Sequence, residues 1–112
     1  MAYAVELTRR AERDLVDLYE FLSAENSTSA RQWFNGLEKA ISTLGRFPRR
    51  CPFAPDARKA GWPLRHVLYG KGLDVYRILF EIHETRRVIR IVAVRHGARD
   101  DFVSSERAKS ER

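Results

Sequence analysis

The sequence predicts an α+β fold of order βααβββ, with a two-helix hairpin packed on one face of an antiparallel sheet. Three observations carry that prediction. Residues 8–44 hold two apolar stripes at helical spacing, four prolines then punctuate residues 48–63, and from Leu64 the apolar period changes to alternation. The 112 residues read as one domain over 1–103 followed by a polar tail over 104–112.

The opening segment, Tyr3-Ala4-Val5-Glu6-Leu7, alternates as a short strand with Tyr3, Val5 and Leu7 on one face. Thr8 follows as a helix N-cap, and Glu12 and Asp14 sit early enough to favour the positive end of the helix dipole. Ala11, Leu15, Leu18 and Leu22 form the buried stripe of this first helix, which should end near Glu25-Asn26. Ser27-Thr28-Ser29 supplies the turn and the next cap. A second helix carries Ala30, Trp33, Phe34, Leu37, Ala40, Ile41 and Leu44. So short a link makes the two helices an antiparallel hairpin. Tyr19, Phe21 and Trp33 or Phe34 exceed what the core stripe needs, which suggests a contact there for a second copy or another protein.

Pro48, Pro52, Pro55 and Pro63 mark a basic connection of about fifteen residues, long enough to read as a binding loop. Leu64–Tyr69, Leu73–Ile82 and Val88–His96 read as three strands. Gly70-Lys71-Gly72 and residues 83–87 make the turns, and Asp100 to Arg112 forms a short helix or a frayed tail.

Charge is unevenly placed. Residues 49–99 hold twelve Lys/Arg against four Asp/Glu, whereas the flanking segments each carry a net charge of −1. Seventeen of the 21 basic residues are arginine, the side chain best matched to phosphate and carboxylate. The second half therefore reads either as a solvated surface or as one facing an anion. No apolar run is long enough to cross a bilayer, Met1–Arg10 has no signal-peptide core, and the single Cys51 cannot form an internal disulfide. Cys51 stands between Arg50 and Pro52, where the cation should lower its pKa, but no base accompanies it. No nucleotide-binding glycine loop, zinc-ligand spacing or serine-hydrolase motif occurs, so neither cofactor nor metal is expected, and the cytoplasm is the default compartment.

Alternation turns the outline into a site. Tyr76, Ile78, Phe80 and Ile82 should face the helices, leaving Val75, Arg77, Leu79 and Glu81 on the opposite, uncovered face. A three-residue Gly70-Lys71-Gly72 loop would pair Tyr69 with Leu73 and set Arg65 opposite Arg77, a like-charge pair tolerated best beneath an anion. In the last strand, an inward Ile89, Ile91 and Ala93 puts His96 beside Arg77, and the other phase puts Arg95 there instead; the first is preferred. Structural pairing of these arginines with Glu81 or Asp74 is the competing expectation. His66 reads as half-buried, His83 as a turn residue, and Trp62 as a surface contact.

Five short matches in order now resemble a known group. They are Thr-x-x-Ala-x-x-Asp-Leu at Thr8 to Leu15, Leu-x-x-Phe-Pro at Leu44 to Pro48, Leu64-Arg65, Tyr-Arg-Ile-Leu-Phe at Tyr76 to Phe80, and Val-x-His-Gly-Ala-Arg at Val94 to Arg99. Together they resemble the RelE/ParE superfamily of bacterial type II toxin–antitoxin toxins over Tyr3 to Phe102, with the His-Gly-Ala-Arg ending nearer the ParE and plasmid-stabilisation branch. The resemblance implies a toxin neutralised by a cognate antitoxin and acting on DNA gyrase if ParE-like. Arg65, Arg77, Arg95, His96, Arg99 and Trp62 would then be binding residues. If RelE-like, it implies an mRNA endoribonuclease on the ribosome, with Arg65 and Arg77 holding phosphate and His96 moving protons. The ending Arg99-Asp100-Asp101-Phe102 departs from the basic, tyrosine-bearing segment of RelE-type toxins, since Phe102 cannot donate a proton. A non-toxic basic module binding RNA or protein is the remaining expectation.

Overall fold

The computed structural model describes residues 2–24, 27–72 and 75–97, and the expected order of elements is present. Strand β1 (Ala4–Leu7) leads into helix α1 (Arg9–Ala24), and helix α2 (Thr28–Thr43) follows. Thr8 Oγ1 accepts the Ala11 N–H at 3.1 Å and Ser27 Oγ accepts the Ala30 N–H at 3.0 Å, so both helices start on the residues whose chemistry demands it. The proline-punctuated connection is more structured than a loop. It holds a 3-10 turn at Pro48–Arg50 and a short helix α3 (Pro55–Lys59), each with proline in its first turn, where the missing N–H costs nothing. Strands β2 (Arg65–Tyr69), β3 (Tyr76–His83) and β4 (Val88–His96) complete the chain as described.

The sheet runs β1-β4-β3-β2. The last three strands are antiparallel as expected, while β1 joins β4 in parallel, bringing the first and last strands side by side. The main core lies between the hairpin and one sheet face. Ala11, Leu18, Phe34, Leu37, Ile41 and Leu44 meet Ile78, Phe80, Ile89, Ile91 and Val94. Each large side chain buried there contributes about 1.5–3 kcal/mol. The face expected to be uncovered is covered in part: Leu64, Leu79 and Ala93 pack beneath Ala54 and Ala57, with Trp62 at the margin. Small residues at 54 and 57 let α3 and its approach lie close to the sheet.

Two registers differ from expectation. Tyr69 pairs with Tyr76, so residues 70–75 connect the strands, and Arg65 lies opposite Phe80 instead of Arg77. The shift is three residues, and an odd shift exchanges the faces of a strand. Val67 and Tyr69 therefore join the helix side, and Arg65 and Arg77 occupy opposite faces. In β4, Leu79 pairs with Ala93 but Phe80 pairs with Ile91, leaving Val92 as an extra residue. This bulge reverses the alternation midway along the strand. Ile89 and Ile91 point inward by one phase and Val94 and His96 by the other, so Arg95 shares the face of Arg77 and His96 does not.

Beyond Leu7 the parallel ladder ends, and residues of the helix start take over from β1. The Thr8 N–H donates to the Ile91 carbonyl at 3.0 Å, the Thr8 hydroxyl donates to the Val92 carbonyl at 2.9 Å, and Asp14 Oδ2 accepts the Val94 N–H at 2.9 Å. Burial raises the Asp14 carboxyl above its ordinary value of 3.8, opposed by the Val94 hydrogen bond and by Arg10 and Arg95. At the other end of the hairpin, the Tyr3 N–H donates to the Gly45 carbonyl at 2.8 Å.

Two outcomes are expected. A Cβ on Gly45 would lie 2.6 Å from the Tyr3 carbonyl oxygen, so Gly45→Ala must displace β1. A loss of about 1–3 kcal/mol in urea unfolding is expected. Because the folded protein binds the Asp14 proton more tightly than the unfolded chain, ionised Asp14 costs stability at neutral pH, and the cost fades as pH falls through the raised value. Asp14→Asn keeps an acceptor for Val94, so its urea midpoint should exceed that of the parent at pH 7, with the gap narrowing toward pH 4. A gap that widens on acidification would contradict this.

Candidate functional site

The residues expected to share one face are distributed over three places. Arg65, at the start of β2, lies on the helix side. Its guanidinium donates to the Cys51 carbonyl at 2.6 Å and stands 4.1 Å over the Phe53 ring, so it fastens the connection to the sheet. Cys51 itself is buried, and burial raises its thiol pKa against the lowering effects of Arg50 and Arg65. The cations beside it in sequence therefore do not activate it.

Arg77 occupies the second place, beneath α3. It is 4% exposed, and its Nη2 donates to Asp56 Oδ1 at 2.9 Å. Its cross-strand neighbour is Arg95. Asp56, the single carboxylate between residues 39 and 73, was detectable as a lone acid in a basic stretch, yet nothing local in the sequence aims it at β3. Of the partners expected for Arg77, Glu81 instead accepts from Trp62 Nε1 at 3.2 Å, with His83 Nε2 at 3.7 Å, and Asp74 lies outside the described residues. Trp62 is thus half-buried against the second core cluster. His66 is half-buried, with its backbone N–H donating to the Pro52 carbonyl at 3.1 Å.

The third place is a cleft of about 610 Å³ between α1 and the adjoining ends of β3 and β4. Leu18, Phe21 and Val94 supply its apolar wall, Tyr76, Arg95 and His96 its polar floor, and Asp14 and Asp17 its acidic rim. Arg95 and His96 alternate across the strand but both reach this end, where Tyr76 and His96 meet edge to face at 5.0 Å. Trp33 sets the Tyr76 ring from behind at 5.2 Å, and also meets Tyr69, whose hydroxyl donates to the Trp33 carbonyl at 3.0 Å. That last contact needs Gly36, because a Cβ there would run into the Tyr69 hydroxyl. Phe21 at 63% exposed and Tyr19 at 53% remain open to solvent on α1 as the surplus of apolar residues suggested, whereas Phe34 and Trp33 turn to the core. In the sequence Tyr76 reads as core, Asp14 as a helix-start charge, and Asp17 carries no signal of its own; the cleft exists only because α1 lies along β4.

Arg99 and the 104–112 tail lie outside the described residues. Among the described residues no group of His, Cys, Asp or Glu could hold a metal ion, and no helix is long and apolar enough to cross a membrane.

The architecture is thus a helical hairpin on a mixed four-stranded sheet, with a basic second half and a cleft against the first helix. The family model for the ParE toxin of the type II toxin–antitoxin system parDE matches residues 5–101, and the chain belongs to that family. Among solved structures it is similar to an E. coli RelE toxin mutant in the free state, at 18% identity and a TM-score of 0.63 over 98% of each chain. It is also similar to the RelBE2 toxin–antitoxin complex of Mycobacterium tuberculosis, at 25% identity and a TM-score of 0.53 over 86% of this chain and 99% of the other. No curated protein matches the sequence.

The buried ion pair makes Arg77 a stability residue as well as a candidate ligand. Arg77→Ala should lower the unfolding free energy by about 2–4 kcal/mol, because it leaves Asp56 facing the sheet without its cation. Adding Asp56→Ala should recover part of that loss in a urea double-mutant cycle; strict additivity would show that the pair is not coupled.

Proposed function

We propose that the protein is a ParE-like toxin that stops growth by binding DNA gyrase and is neutralised by a cognate antitoxin. The observation that carries this reading is the dispersal of the residues a nuclease would need. Cleavage of RNA by its own 2′-OH requires a base, an acid and cations converging on one phosphate. Arg65 and Arg77 lie on opposite faces, Arg77 is committed to Asp56, and His96 faces the helix side. A protein-binding toxin has no such requirement for convergence and draws on exposed surface instead.

The RelBE2 relative was solved with its antitoxin, which supports an antitoxin partner here. The cleft offers such a segment an apolar wall at Leu18 and Phe21 and a cation at Arg95. A second reading, a RelE-like ribosome-dependent endoribonuclease, draws on one observation: Tyr76, Arg95 and His96 do share the cleft floor.

Purified protein assayed side by side on gyrase supercoiling and on programmed ribosomes separates the two. The expected outcome is loss of supercoiling without cuts in A-site codons, with cleft substitutions each weakening inhibition about tenfold. Codon-specific cuts that fall by about 10²–10⁴-fold in His96→Gln would overturn the ParE-like reading in favour of the nuclease.

A further inference from the structure

The end of the sheet opposite the cleft carries a second surface. Phe47 opens the 3-10 turn with φ 49° and ψ 52°, the left-handed region, and its side chain is 79% exposed. That conformation is unfavourable for a residue other than glycine. The strain holds a bare ring in water. Arg50 braces the turn by donating from Nη1 to the carbonyls of Arg46 at 2.8 Å and Phe47 at 3.1 Å.

The neighbours in space are cationic or aromatic. Arg65 stacks on Phe53, itself 42% exposed, and Arg65 also approaches the Arg49 carbonyl. Arg49 pairs with Glu84, which accepts from the Tyr3 hydroxyl, and Arg87 lies 4.5 Å over the Tyr3 ring. Arg86 reaches Glu6 at 3.7 Å. Six arginines (46, 49, 50, 65, 86 and 87) thus stand among two carboxylates, Glu84 and Glu6. So much like charge opposes a second copy of this chain. A purely acidic partner would make no use of a ring presented edge-free to solvent, whereas a base has a face for it.

We propose that Phe47 and Phe53, framed by Arg46, Arg49 and Arg50, form a stacking surface for single-stranded nucleic acid. Bases lie on the Phe47 ring and on the face of Phe53 that Arg65 does not cover, and the arginines follow the phosphates, the arrangement that sequence-tolerant single-strand binders use. The surface is separate from the cleft and does not depend on which target the toxin attacks.

Phe47→Gly tests the proposal because it relieves the strained backbone while removing the ring. Binding of fluorescein-labelled oligouridylate and oligothymidylate 12-mers is read by anisotropy, with poly-glutamate as a polyanion that has no bases. The expected result is an unchanged or higher melting temperature for Phe47→Gly with about tenfold weaker oligonucleotide binding. Arg46→Gln should reduce the salt slope by about 0.7. Retention of either oligomer alone still supports the site and tells RNA from DNA. Binding that Phe47→Gly leaves intact, preference for poly-glutamate, or no binding by the parent protein would each overturn it.

Discussion

An interior strand must have its backbone satisfied on both sides, and β4 meets that requirement with partners of two kinds. On one side β3 runs its full length. On the other, β1 reaches only to Leu7 opposite Ile91, and the helix start completes the ladder through the Thr8 backbone and the side chains of Thr8 and Asp14. A buried peptide group left without a partner costs free energy comparable to a lost hydrogen bond, so these three contacts fix where α1 begins and which way it runs. The position of α1 then dictates the core against Ile89, Ile91 and Val94, and with it the walls of the cleft. One carboxylate placed for backbone reasons also becomes part of an acidic rim.

The helices were legible because their signals are local. Thr8 and Ser27 cap, and the stripes through Leu18 and Leu37 repeat at the helical period, so both elements could be drawn without knowing their neighbours. The existence of the strands was equally plain. Their mutual placement was not, because register depends on the length of a turn and on bulges that leave no mark in composition. The glycines at 70 and 72 suggested a three-residue loop, whereas six residues separate Tyr69 from Tyr76. Val92 looks like any other β-branched strand residue, yet it shifts the phase that assigns Arg95 and His96 to their faces. The site inherited both differences. The resemblance to the superfamily was carried by short motifs whose order survives such shifts, and it needed no register at all.

The basic half of the chain does not act as one surface. Arg77 spends its charge inside, on Asp56, and in doing so ties α3 to the sheet and closes the second core over Leu79 and Ala93. Arg65 likewise turns to carbonyls and a ring of the connection. Arginine suits both roles because its planar fork can satisfy several acceptors while its stem packs against apolar groups. A count of cations therefore overstates what is offered to a ligand.

The closure of β1 on β4 has a bearing on how the protein comes into being. Thr8 and Val92 are 84 residues apart in sequence, and no nearer strand can substitute for the partner. A nascent chain lacks the strand that covers Ala11 and Leu18 until residues 88–96 have been added. Until then the hairpin carries an uncovered apolar flank, and a chain truncated before β4 lacks what it needs to assume the native architecture. Assembly of this sheet is in effect all-or-none, decided by the strand at its centre.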